Sequence, residues 1–482
     1  MRKKIEMVLE RIRACGAEYG DIRIIDTIKE SITTEDQMVA DIIDSRSKGA
    51  GIRVILDGSL GFAATQDLSN LAETVERAIQ IAQAGRMLQK EKIVLSAKEI
   101  VQDEYQTPIE IDPFTVSKED KINLLLRAEK AMREAAKLSR TTGSMVFQRQ
   151  DKIYADTEGS YIVQRLYESG AGIEAVVNSE TDSQIRSYPN SSGGNHATAG
   201  YEFVESLKLV ENAPRIAIEA ERLINAEQCP SGHYDLIIDS SQMALQIHES
   251  IGHATELDRI FGSEAAYAGM SFLLPGTIND NFKYGSEFVT VVADATIPKG
   301  LGSFGYDDDG VKAQKTVLID KGMLKNYQTS RDTASKIGQL SNGTNRADGW
   351  SNIPIVRMTN INLLPGSFEL DELIKGIDDG FYLCTNKSWS IDDKRLNFQF
   401  SCEIAHEIKN GKLTGKIYKN PIYTGITPKF WGSCDGVGNE KHWILYGVPN
   451  CGKGQPGQVA HVGHGSAPAR FRNVKVGVED VK

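Results

Sequence analysis

The sequence is short of cysteine, with six in 482 residues, and holds no run of about 18 apolar residues. The second lack excludes a transmembrane helix. The N-terminus, MRKKIEMVLERIRACGAEYG, interleaves charge with apolar residues, so it lacks the unbroken apolar core of a signal peptide. Six cysteines without a leader read as cytosolic thiols rather than a disulfide framework, and the expected location is the cytoplasm. Excess positive charge is lacking too. Lys and Arg number 55 against 65 Asp and Glu, a net charge of −10. That balance argues against a nucleic-acid partner, whose phosphates call for a basic surface. Internal repeats and low-complexity tracts are absent. What remains is ordinary globular composition, 40% hydrophobic and 25% charged, in a chain long enough for roughly two to four domains.

The first half reads as α+β. Ile5, Val8, Leu9 and Ile12 mark one face of a helix. The segments DIRIIDTIKESI, QMVADIID, GIRVILDG and SLGFAAT follow as strands, with Asp57-Gly58 as a hairpin turn. Asn70 and Glu73 have the spacing of a capping box opening a helix that Gly85 can end. Another helix is predicted around 118–138, strands over roughly 140–210, and a helix opened by Asn212-Ala213-Pro214 and running to about Glu227. Gln228-Cys229-Pro230-Ser231-Gly232 is the boundary candidate, because Pro and Gly interrupt the periodic segments there. Beyond it come a strand over 234–239, a helix capped by Ser240 or Ser241, and from about 285 onward mostly strands.

That helix carries His248-Glu249-Ser250-Ile251-Gly252-His253, an HExxxH motif one residue longer than the HExxH of zinc peptidases. With eight histidines in the chain, the pattern arises by chance about 0.01 times, against which two ordinary helix histidines are the plain alternative. The extra residue has a geometric cost. At 100° per residue, positions i and i+5 lie about 140° apart around an α-helix, too far to share one ion. A local π-type widening would bring the two rings together, and Gly252 eases such a distortion. A zinc site also needs a third protein ligand. Cys451, in the glycine-rich loop PNCGKGQPG, is one candidate; His461 and His464 of HVGHG, Glu256 and Asp258 are the others.

Four further features carry less. Gly300-Leu301-Gly302-Ser303-Phe304-Gly305 fits GxGxxG, but YDDDGVKAQ follows where a dinucleotide fold would open a helix. Asp307-Asp308-Asp309 lacks the spacing of a calcium loop and reads as a solvated turn. Cys229, Cys384, Cys402 and Cys434 have no paired spacing and read as incidental thiols. His442, Arg331 and Arg346 are conceivable oxyanion stabilisers.

HESIGHATELD resembles the HExxxH motif of the TldD side of the TldD/PmbA family of metallopeptidases, also called modulator-of-gyrase proteins. GAGIRVILDGSLGFAAT, GSFGYDDDGVKAQKTVLIDKGMLKNY, RMTNINLLPG and NCGKGQPG resemble further blocks of that family in the same order. The resemblance implies an α+β protein of two domains. Residues 1–230 would form an α/β N-terminal domain. Residues 231–482 would form a large β-rich domain, of twisted sheets or a pseudo-barrel, with a metal-binding helix. It implies Zn²⁺ held by His248, His253 and Cys451, with Glu249 as the general base in hydrolysis of peptides or unfolded segments. It also implies dimers: a homodimer, or a heterodimer with a PmbA/TldE-like sister chain that lacks HExxxH. The two histidines of HVGHG are not part of that motif. The competing function is a regulatory protein with structural zinc that modulates a toxin or gyrase system. A weaker third is a nucleotide-dependent oxidoreductase.

Overall fold

The computed structural model describes residues 1–267, 269–454 and 457–477. Helix Arg2–Ala14 buries Ile5, Val8, Leu9 and Ile12, as their spacing predicts. Strands Tyr19–Glu35 and Met38–Leu56 pair along their full length, and Asp57 and Gly58, both at positive φ, turn the chain into Ser59–Thr65. Two left-handed residues are what a tight hairpin of this twist requires. Asn70 does not cap the next helix, Leu71–Gly85, through its oxygen; its amide instead donates to Glu73 Oε2 at 2.8 Å. This helix lies directly on the sheet at Gly61, where a Cβ would come within 1.9 Å of the Ala78 carbonyl.

The first sheet has eight strands, drawn from between Tyr19 and Ala197. Its central strands are Tyr19–Glu35, Arg140–Asp156 and Tyr161–Asn178. Strand alternation divides the work. Ile22, Ile24 and Ile32 face the helices: the first two meet Arg2–Ala14 and Leu71–Gly85, and the third meets Lys118–Ala135 and Leu209–Ile224. Arg23 points the other way, onto the Asn352 carbonyl and Asp308 of the second half, and Asp21 beside it holds Arg53. Two expectations need correction. Residues Tyr201–Ser206 are helical rather than strand. The next helix starts at Leu209 with Pro214 inside it and ends at Ile224. Pro214 is the sixth helical residue, past the first turn, so the Val210 carbonyl receives no i+4 N–H from it.

The second half holds a closed ring of five strands: Gly232–Ile238, Asp379–Ile391, Asn397–Lys409, Ile422–Ile426 and Ala469–Val476, each paired to the next and the last to the first. Closure removes the free edges that an open sheet would expose. Phe398, Phe400, Tyr423, Phe430 and Phe471 fill one part of it, with Phe430 and Phe471 stacked at 4.2 Å. A four-stranded sheet and the ribbon Ile444–Lys453/Gln458–Ser466 pack beside the ring. Helix Ser240–Ile247 leaves its first strand, capped by Asp239 and not by a serine. The Asp239 carboxylate accepts from the Gln242 N–H, while Ser241 Oγ donates to that carboxylate.

The aspartates at 307–309 are not a solvated turn. Each is at most 2% exposed. Asp308 pairs with Lys152 Nζ at 2.8 Å, and Asp309 with Arg53 Nη2 at 2.7 Å. Asp307 accepts backbone N–H groups from Asp309, Val311 and Asn345, and burial, then the Asp309 charge, pushes its carboxyl well up. The partners precede the aspartates by 156 and 256 residues, so local composition could not reveal them. Arg53 also holds Asp21, which makes this an electrostatic tie between the first sheet and the second half. Asp309→Ala should therefore lower unfolding stability by about 3 kcal/mol, the low end for breaking a buried pair because Asp21 remains. The shift in the urea-unfolding midpoint checks this.

Candidate metal centre

The helix that begins at Ser240 changes its winding at the motif. Ser240–Ile247 is α, His248–Gly252 is π, and His253–Thr255 is 3₁₀. The widened turn meets the angular requirement derived above and sets the His248 and His253 rings 4.8 Å apart, nearly perpendicular. Gly252 sits where a Cβ would lie 2.1 Å from Met358 Sδ, so a side chain there would push the turn off its support.

Cys451 arrives from the ribbon strand Ile444–Lys453. Its register against Gln458–Ser466 shifts between Val448 and Cys451, and such an irregularity re-aims a side chain. Gln455 and Pro456 of NCGKGQPG lie outside the described residues. The ligand atoms of His248, His253 and Cys451 all lie within 4.8 Å of one another, and all three residues are buried. Cys451 Sγ stands 3.6 Å from His253 Nε2. A tetrahedral ion with bonds of ~2.1 Å to nitrogen and ~2.3 Å to sulfur sets its ligands about 3.6 Å apart. The donor set and its spacing fit zinc.

The surroundings orient these groups. His253 Nδ1 meets Glu256 Oε2 at 2.9 Å. His248 Nδ1 meets His464 Nε2 at 2.7 Å, and His464 Nδ1 meets the Ile361 carbonyl at 3.3 Å. A carbonyl only accepts, so this network assigns the His464 proton to Nδ1 and leaves its Nε2 to accept from His248 Nδ1. Both motif histidines thus donate from Nδ1, and their Nε2 lone pairs face the cavity, the usual outer support of a metal-binding imidazole. Burial holds both rings below their ordinary pKa, in the neutral form that ligation needs.

The cysteines separate by electrostatics. Burial pushes Cys229 and Cys434 up to about 12, and Cys384 and Cys402 well up. Cys451 is buried as well, yet its thiol sits below its ordinary value, with the charge of the Arg357 guanidinium against the sulfur among the causes. Arg357 Nη2 is 3.1 Å from Cys451 Sγ, and its Nη1 donates to the Gln458 carbonyl at 3.0 Å.

Glu249 lies on the π turn and lines a cavity of about 250 Å³ with His248, His253 and Cys451. Its Oε2 is 2.8 Å from Arg395 Nη1. Sequence reasoning missed Arg395, since an arginine between two strands looks like any exposed turn residue. Of the other third-ligand candidates, Glu256 is taken up by His253 and Arg259. Asp258 is paired with buried Lys453 at 2.7 Å, and His461 with Glu168 at 2.6 Å. Arg331 is fixed on Glu158, Arg346 on the Met358 and His461 carbonyls, and His442 on Glu369; none of the three lines the cavity. The GxGxxG glycines lie in turns ahead of strand Lys315–Asp320. Gly302 and Gly305 are packed against Thr359 and Tyr105.

His464→Ala would remove the acceptor on His248 without removing a member of the group. Metal affinity should fall ~10–100-fold, with full loading at saturating metal; a competitive chelator titration measures both.

This buried group has the make-up of a metal centre. Residues 231–478 match the model of the PmbA/TldA metallopeptidase C-terminal domain, 20–82 that of domain 1 and 111–226 that of the central domain. The chain belongs to this family. A metalloprotease of Methanocaldococcus jannaschii is 30% identical over 97% of this chain and 98% of its own length. One of Methanothermobacter thermautotrophicus is 32% identical over 95% of each. A metalloprotease TldD homolog of Buchnera aphidicola is 27% identical over 98% of this chain and 95% of its own. The same fold occurs in a putative modulator of a DNA gyrase from Thermotoga maritima, at TM-score 0.76 and 18% identity over 99% of this chain and all of that one. It occurs also in TldE from Thermococcus kodakarensis, at 0.73 and 16% over 98% of this chain and all of that one. No helix among the described residues is long and apolar enough to cross a membrane.

Proposed function

We propose that this chain is a zinc peptidase that hydrolyses peptides or unfolded protein segments, with Zn²⁺ held by His248, His253 and Cys451. The observation that carries this reading is the buried His–His–Cys group beside Glu249, with both imidazole Nε2 atoms turned inward. Zinc in such a site supplies an activated water near neutral pH and polarises a carbonyl. A thiolate with two neutral imidazoles would leave one net positive charge there. Glu249 takes the proton of the attacking water on its carboxylate and returns it to the leaving amine nitrogen. Asn190, Ser191, Asn386 and residues 447–452 line the cavity, and their polar groups suit a main chain of any sequence. A space of about 250 Å³ favours an extended segment over a folded surface.

Structural zinc, as in the regulatory alternative, needs a fourth protein ligand. The group has three members among the described residues, and His464 is engaged with His248. We further read the active form as a dimer in the cytoplasm, either of this chain with itself or with a TldE-like sister. Closed two-fold pairing is the commonest assembly, and pairing would restrict access of nascent chains to an unselective site. The test joins metal analysis with turnover of an unfolded-peptide library, and light scattering with and without the sister chain. A monomer that cleaves at full rate unaided would contradict the assembly.

A further inference from the structure

Arg395 is the one lysine or arginine among the described residues that line the cavity. Its position is built rather than incidental. It sits at the tip of the hairpin between strands Asp379–Ile391 and Asn397–Lys409, with φ of 60°, a left-handed conformation that a branched-free but bulky residue adopts only under constraint. The constraint is visible on both sides. Met270 N–H donates to the Asp393 carbonyl and Phe272 N–H to the Lys394 carbonyl, each at 2.7 Å. Thr427 Oγ1 donates to the Arg395 carbonyl at 2.8 Å, and Asp392 accepts from the Leu396 N–H at 2.8 Å. The guanidinium is therefore delivered to Glu249 by a pinned loop, and the pair is largely buried, at 15% and 8% side-chain exposure.

The charge balance of hydrolysis gives a fixed cation in this place a use. The water oxygen bonds to the carbonyl carbon, the C=O π pair moves onto oxygen, and the water proton goes to Glu249. One negative charge thus leaves Glu249 and appears on the former carbonyl oxygen, within the same cavity. When the C–N bond breaks, the C=O bond re-forms and the proton passes from Glu249 to the leaving nitrogen, restoring the starting charges. A guanidinium carries five N–H donors in a rigid fork and can follow that charge with little movement.

We propose that Arg395 is a catalytic residue, holding Glu249 at rest and donating to the scissile carbonyl oxygen as it becomes an oxyanion. This rests on the peptidase reading above. A cation here could alternatively anchor a free C-terminal carboxylate, but one this close to the base stands at the reacting carbonyl rather than a residue beyond it.

The test compares metal-loaded wild type, Arg395→Met and Arg395→Lys. Metal content and circular dichroism establish that the variants fold. Affinity for a phosphinic pseudotripeptide, whose PO₂ group mimics the tetrahedral oxyanion, is measured by calorimetry, and turnover on quenched peptides with free and amidated C-termini. For Arg395→Met, kcat should fall ~10²–10³-fold, the usual effect of losing one oxyanion donor, with KM changed little. Affinity for the phosphinic probe should weaken in step with kcat/KM, and Arg395→Lys should recover part of both. Turnover and probe affinity within a few-fold of wild type in Arg395→Met would overturn the proposal. So would a loss confined to substrates with a free C-terminus, which marks a carboxylate anchor. If wild type itself neither cleaves peptides nor binds the probe, the peptidase reading falls and the Arg395 role with it.

Discussion

Glu249→Gln should keep its metal and lose turnover of unfolded peptides by ~10²–10⁴-fold, the usual contribution of a general base. Gln has the shape of Glu, and its amide oxygen can still accept from Arg395, whose Nη1 lies 2.8 Å from the present carboxylate. Fold and cavity should therefore persist. What is lost is the ability to take a proton from water and return it to the leaving nitrogen. Glu249 is outside the His–His–Cys group, so metal content is the control that separates lost chemistry from a lost site. Metal analysis and turnover on one protease-free preparation suffice.

Cys451→Ser should have the larger effect on metal. A serine hydroxyl stays protonated near neutral pH and cannot supply the negative ligand. Arg357, 3.1 Å from the sulfur, would then face a buried cation with no thiolate between them. The loss of affinity should exceed the ~10–100-fold expected when only an outer partner such as His464 is removed. Peptide hydrolysis should disappear with the metal. Parallel chelator titrations of Cys451→Ser and His464→Ala check the order, and equal metal retention in the two would contradict the ligand assignment.

The π turn was legible because it is local: for His248 and His253 to share one ion, helical angles require a widening between them, and the chain has one there. The amphipathic helices and the Asp57-Gly58 hairpin were legible for the same reason. The sequence could not show what depends on residues meeting from far apart. The Asp307–Asp309 turn looks hydrated until Arg53 and Lys152 are brought to it. His464 looks like a spare ligand until its Nε2 is seen on His248, and Arg395 looks like a surface residue until its hairpin folds over Glu249. Helix starts were misplaced at Asp239 and Leu209. At Asp239 a carboxylate competed successfully with two serines for the same N–H groups, and at Leu209 a proline accepted in the early helix was taken for its first turn.

The central claim is that one ion is held by two imidazoles and one thiolate, with a position left for water. X-ray absorption at the zinc edge on the purified, metal-loaded chain tests this most directly. The account predicts one sulfur at ~2.3 Å and three nitrogen or oxygen neighbours at ~2.0–2.1 Å, two of them imidazoles, with the sulfur absent from any residual zinc in Cys451→Ser. A shell with three imidazoles, with no sulfur, or unchanged by Cys451→Ser would contradict it.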